Sequence, residues 1–166
     1  MRRRALLRSL PFAAAVAAAG CLTAPRADPP SAPSAADVRR SDETFSLSAS
    51  PARVPVGETV TFTLSNLTDE RVTVGGDAWS VWRRDGETWT AAVTREDVTL
   101  DLLVATPGGA ASWTLRPTPD ATDDELGEGS PPRPVPLGPG RYWFLKRVAG
   151  GDDGTRYAVP FEVVEK

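Results

Sequence analysis

From about residue 42 to the end, apolar and polar positions alternate with a period of two, the mark of strands with one buried face. Phe45, Leu47 and Ala49 alternate with Thr44, Ser46 and Ser48, and Val60, Phe62 and Leu64 alternate with Thr59, Thr61, Thr63 and Ser65. Pro51, Pro55 and Gly57 punctuate the gap between them. Asn66-Leu67-Thr68-Asp69-Glu70 reads as a turn, and Val72 and Val74 carry strand character through Arg71–Gly75. The clearest hairpin has Ala78–Arg84 and Glu87–Val93 flanking Asp85-Gly86, a pair suited to a two-residue turn with positive φ. In it Trp79 and Val81 share a face of the first strand, and Trp89, Ala91 and Val93 share a face of the second. Ser112–Leu115, Arg141–Val148 and Arg156–Val164 follow, the last two joined by a loop at Gly150–Gly154. Seven or eight short strands with no helical pattern after residue 21 predict an all-β fold, an antiparallel β-sandwich occupying residues 42–166.

One motif bears on how such sheets would be joined. Leu137-Gly138-Pro139-Gly140-Arg141-Tyr142 has the spacing of a tyrosine corner, in which the Tyr142 hydroxyl reaches back to nearby upstream backbone. Tyr142 is therefore expected to be structural.

The first 41 residues follow a different pattern. Residues 1–20 pair a charged start with an apolar stretch, Leu10 to Gly20, that is too short to span a bilayer as a helix. This is the form of a secretory signal peptide. Arg3-Arg4-Ala5-Leu6-Leu7-Arg8 resembles a twin-arginine export signal, and Ala18-Ala19-Gly20-Cys21 resembles a lipobox, where cleavage leaves a lipidated Cys21. A thiolate is the chemistry that thioether formation needs, and two acyl chains anchor stably where one is marginal. Residues 21–41 then form a Pro/Ala/Ser-rich tether, expected to be disordered and extended, reaching roughly 60 Å at polyproline II rise. The expected address is the extracytoplasmic face of a cell membrane, held there by lipid.

Composition narrows the chemistry. There is no histidine and a single cysteine, which removes Ser-His-Asp and Cys-His catalysis, His-containing and multi-cysteine metal sites, and any internal disulfide. No Gly-x-Ser-x-Gly elbow or phosphate-binding loop is present, so the chain reads as a non-enzyme without cofactors. Loss of residues 1–20 leaves 15 basic against 22 acidic residues, a poor match for nucleic acid. Seventeen Arg against two Lys suits a high-GC genome, and with acidity and twin-arginine export it resembles haloarchaeal, hence archaeal, usage. Asp120, Asp123, Asp124, Glu125 and Glu128 lie in an acidic, Pro-rich loop, 117–136, without the alternating spacing of an EF-hand. That loop is read as solvated and not as a metal site.

In order along the chain, Asn66-Leu67-Thr68-Asp69, Gly75-Gly76, Asp85-Gly86-Glu87-Thr88-Trp89 and Leu137–Lys146 resemble bacterial-type Ig-like domains of secreted lipoproteins. The hairpin is one residue longer than the common form, and Trp143 replaces the usual Arg after the corner tyrosine. The resemblance covers roughly residues 55–166 apart from the 117–136 loop. It implies an Ig-like fold without catalytic residues. A looser resemblance, through the Asn-x-Thr turn and Pro-Gly-x-Tyr strand, is to proteinase-inhibitor Ig-like domains.

Two further features carry alternative readings. Asn66-Leu67-Thr68 is an N-glycosylation sequon on a turn, or Asn66 caps that turn with its own amide. Of the five tryptophans, Trp79, Trp89 and Trp113 fit core faces, while Trp82 and Trp143 point away from Val81 and Phe144. That pair either contacts a glycan or peptide ligand or lies beneath a segment such as 94–110. Trp143 in particular is expected to be covered, because its strand is apolar on both faces. The function expected is a membrane-anchored lipoprotein whose domain binds or scaffolds a surface protein or glycan. A surface protease inhibitor and a non-binding envelope component are the alternatives, with oligomeric state open.

Overall fold

The computed structural model describes residues 32–33, 38–75, 78–86, 88–95, 102–122, 131–148 and 155–166. Arg3, Arg4, Cys21, nearly all of the proposed tether before Val38, and the acidic residues at 123–128 lie outside these. The described residues are all-β, with no helix among them. In chain order the strands are β1 (Val38–Arg39), β2 (Phe45–Ser50), β3 (Arg53–Pro55), β4 (Val60–Asn66), β5 (Val72–Gly75) and β6 (Trp79–Asp85). They continue with β7 (Thr88–Arg95), β8 (Leu102–Ala105), β9 (Ala110–Pro117), β10 (Arg133–Val135), β11 (Gly140–Val148) and β12 (Thr155–Val164).

Two sheets pack face to face. The first runs β1-β12-β11-β6-β7, with β3 also paired to β12, and the second runs β10-β9-β4-β2. A separate ribbon pairs β5 with β8. The alternation in β4 shows why the second sheet forms: Val60, Phe62, Leu64 and Asn66 point inward, and Thr61, Thr63 and Ser65 lie on the other face. There Thr61 shares a hydrogen bond with Thr114 at 3.3 Å, and Thr63 with Ser112 at 3.2 Å, so hydroxyls line the outer side of the β4–β9 pair.

The expectation of antiparallel pairing holds for the long strands, but three short pairs are parallel: β1 and β3 with β12, and β10 with β9. Short edge strands of two or three residues bury too little to show an alternation, which is why composition hid them. β1 falls within the stretch read as tether. β10 falls within the loop read as solvated, where Pro117 and Val135 are in fact buried. The hairpin turn also sits one residue later than expected. Asp85 pairs with Thr88, and Gly86 takes the positive φ of +64° that a residue with a Cβ adopts reluctantly.

The core lies between the two sheets, and aromatic rings join them. Phe62 of β4 stacks on Phe144 of β11 with centroids 4.0 Å apart, while Phe161 of β12 meets Phe62 edge-on at 5.0 Å. Trp79 and Trp113 flank Phe144 at 5.8 and 6.0 Å. Tyr142 lies in the same core, and its hydroxyl donates to the Gly138 carbonyl at 2.9 Å, tying the entry of β11 to the preceding loop.

Replacing Phe62 by Ala should remove the central inter-sheet contact and lower unfolding free energy by about 3–5 kcal/mol. Tyr142→Phe, which loses only one hydrogen bond, should cost about 1 kcal/mol. Urea denaturation of the two variants measures both, and equal costs would show that the ring stack is not the principal tie.

Candidate functional site

The first sheet has a second face, turned away from the core, and its character follows from β11. Tyr142, Phe144 and Val148 belong to the principal core, while Trp143 and Leu145 belong to a separate apolar cluster with Trp82 and Ala158. Trp143 lies directly opposite Trp82 on β6 and opposite Pro160 on β12. Trp82 is 4% exposed, and its indole Nε1 donates to Ser80 Oγ at 2.8 Å, which satisfies the buried donor and lays the ring along its own strand.

A β-bulge brings in a third tryptophan. Val81 pairs with Val93, but the next residue of β6, Trp82, pairs with Ala91, so Ala92 is the extra residue. Counting by twos along β7 therefore fails across the bulge. Val93 stays in the principal core, whereas Trp89 packs on the outer cluster. This corrects the expectation that Trp89, Ala91 and Val93 share a face. Trp89 meets Trp143 edge-to-face with centroids 5.4 Å apart, and the Arg84 guanidinium lies 5.4 Å from the Trp89 ring centroid. Trp89 and Trp143 are both half-buried.

Of the segment expected to cover the pair, residues 96–101 lie outside the described residues. Within 94–110, β8 pairs with β5, Leu103 packs against the principal core, and Val104 is 50% exposed. The described part of that segment thus serves the inner core. Trp82 is the covered member of the pair, and Trp143 keeps part of its ring in water.

Asn66 is wholly buried. Its Nδ2 donates to the carbonyls of Glu70, Ala105 and Thr106 at 2.7, 3.1 and 3.2 Å, and its Oδ1 accepts from the Thr68 amide and hydroxyl. The amide side chain welds the 66–70 turn to the end of β8. A glycan on Nδ2 would have to displace those three bonds, so in the folded domain the geometry favours the capping reading over the sequon reading.

Two more polar arrangements bear on chemistry. Lys146 is fully buried on the core side of β11, where its ammonium donates to the Gly75 and Ala78 carbonyls and lies 5.0 Å from the Trp113 ring centroid. It ties the end of β5 to the start of β6, a role no sequence pattern signals. Elsewhere an open cleft of about 630 Å³ is lined by residues including Arg39, Asp42, Phe45, Val148 and Tyr157. Asp42 is engaged on both oxygens: Oδ1 accepts the Thr44 and Phe45 amides at 2.8 and 2.9 Å, and Oδ2 accepts the Tyr157 hydroxyl at 2.7 Å. Burial alone would raise its pKa, but the bonds from Tyr157, Phe45 and Thr44 and the charge of Arg39 outweigh it and hold the carboxyl below its ordinary value. Burial and then the Asp42 carboxylate push the Tyr157 hydroxyl above the usual range, so it stays a donor. The pair is built to fasten the turn ahead of β2 to β12, and among the described residues no group of three potential metal ligands gathers.

No protein-family model matches the chain, and no curated protein matches it. Among solved structures it is similar to a β-glucosidase from Listeria innocua in complex with glucose, at 19% identity and a TM-score of 0.29. The match covers 72% of this chain and 16% of the glucosidase, so the chain spans about a sixth of that protein's length. A likeness this distant assigns no activity.

Trp82→Ala should cost about 3–5 kcal/mol, as a buried indole does, and Trp143→Ala, whose ring is already partly in water, distinctly less. Denaturation midpoints of the two variants decide this, and an equal shift would mean that Trp143 is as buried as Trp82. For Asp42, a depressed folded pKa contributes stability above the unfolded value near 4 that is lost as pH falls through the folded value. The stability gap between wild type and Asp42→Asn should therefore narrow as pH drops from 6 to below 4, and a constant gap would remove the carboxylate from this role.

Proposed function

We propose that this chain is a lipid-anchored lipoprotein on the extracytoplasmic face of a cell membrane, carrying an Ig-like domain that binds or scaffolds a surface protein or glycan. The Ig-like assignment is supported by the partition of strands: β2, β4 and β9 adjoin in one sheet, and β3, β12, β11, β6 and β7 belong with β1 to the other. It is supported again by the Tyr142 bond to Gly138 at the entry of β11. The anchor rests on Ala18-Ala19-Gly20-Cys21 behind a twin-arginine-like start.

The observation that carries the binding role is the outer face of the first sheet. Trp89 and Trp143 sit edge-to-face and partly open, with Arg84 over one ring, beside the buried Trp82 and Leu145 and the exposed Ala91 and Pro160. Amphipathic rings held rigidly by a strand lose little entropy on contact, which suits them to stack on sugar or peptide.

Cys21→Ser should release the protein to the medium or leave it as uncleaved precursor, and fractionation with immunoblotting reads the outcome. Retention at the membrane at normal size would refute lipid anchoring. Arg3→Lys with Arg4→Lys should stall the precursor in the cytoplasm, and normal export would replace twin-arginine transport by the general secretory route.

A further inference from the structure

Ser80, Trp82, Leu145 and Ala158 keep 7%, 4%, 8% and 1% of their exposure on the outer face of the first sheet. The partly buried hydrophobic residues packed against that cluster, Val38, Trp89 and Trp143, all belong to strands of the same sheet. An indole and a leucine on the open side of a sheet do not reach such values through lateral neighbours alone; a covering segment is required. The described chain points to one. Val38, the first residue of β1, packs against this cluster, and Pro33, five residues earlier, is itself buried. Immediately around it the sequence reads Pro29-Pro30-Ser31-Ala32-Pro33.

We propose that the chain's own proline-rich stretch, Pro29–Pro33, docks across the Trp82/Trp89/Trp143 face as a polyproline II segment, making the tether an intramolecular ligand of the domain. Polyproline II repeats every three residues, so Pro30 and Pro33 fall on one edge, about 9 Å apart. That spacing is close to two strand separations of about 4.8 Å, the distance over which prolines on one edge meet aromatic rings on neighbouring strands. The link is long enough: five residues at about 3.1 Å each cover about 16 Å, and β1 to β6 is three strand separations, or about 14 Å. A proline-rich segment also suits the acceptor, because it brings few amide donors to a sheet whose backbone groups are already paired, and its backbone is stiff before it binds. Charge agrees in sign, with Asp28 ahead of the prolines and Arg84 and Arg141 on β6 and β11, the strands that carry Trp82 and Trp143.

The inference uses the outer face assigned to ligand binding above and extends it: an outside ligand has to displace the tether, and a displaced tether lengthens. With Pro29–Pro33 docked, only the seven residues 22–28 remain as spacer, reaching about 22 Å and not the roughly 60 Å of the free tether.

The test uses the full-length protein in detergent and a protease that cuts after alanine, with Ala35 and Ala36 as reporters. Trp89→Ala combined with Trp143→Ala should speed cleavage at those sites about tenfold or more, since proteolysis tracks the open population. The reciprocal change, Pro30→Gly with Pro33→Gly, leaves the domain sequence intact. It should raise acrylamide quenching of tryptophan emission while the domain still unfolds in a single cooperative transition. If the tryptophan variant unfolds, the proline variant decides. Unchanged quenching in the proline variant assigns the cover to another segment and overturns the proposal. So does a concentration-dependent dimer that Trp143→Ala abolishes, which would assign the face to a second copy. Neither readout involves Cys21, so failure of docking and failure of lipid anchoring are told apart.

Discussion

Everything in this domain hangs on β11, which is apolar on both faces because it sits between β12 and β6 in the first sheet. Its even-numbered residues face the second sheet, and Phe144 there gathers Phe62, Trp79 and Trp113 into one aromatic contact between layers. Its odd-numbered residues, Trp143 and Leu145, give the opposite face its apolar character. A strand surrounded by partners loses the choice of a wet side, so a nine-residue stretch from Gly140 to Val148 specifies both the core and the candidate site. The tyrosine bond to Gly138 fixes where that strand begins, and hence which residues fall on which face.

The long strands were readable because their side chains alternate over six or more residues. β4, β9, β11 and β12 lie where alternation or an unbroken apolar run placed them, with ends shifted by one or two residues. The same logic failed at Trp89 for a definite reason: a bulge at Ala92 adds one residue to β7, and parity reverses beyond it. No residue type announces a bulge of this kind, since Ala91-Ala92 reads as ordinary strand filler. The short parallel strands were equally silent, because two or three residues cannot display a period.

Polar burial was the other illegible layer. Lys146 stands in an apolar run and looks like a solvent-side interruption, yet it is closed off and spent on two backbone carbonyls. Asn66 reads as a sequon or as a turn cap, and the amide reaches past its own turn to carbonyls on a second segment that the pattern does not name. Both residues serve backbone that secondary structure leaves unpaired, where a loop must pass beneath the surface. Such needs arise from where strands end in space, and a linear pattern carries no record of that.

The placement of β1 has a mechanical meaning. It is the first described strand, and it meets the sheet only through Val38 and Arg39 beside Arg156 and Tyr157, at the start of β12. Among the described strands, any pull delivered through the N-terminal chain is therefore felt first by two residues of parallel pairing and last by the nine-pair register of β11 with β12. The short strand yields before the long ones are loaded, and its release adds slack while the aromatic stack between the sheets stays closed. A domain worked by tension at that end would have a sacrificial link at the point where load enters, with the fold protected behind it.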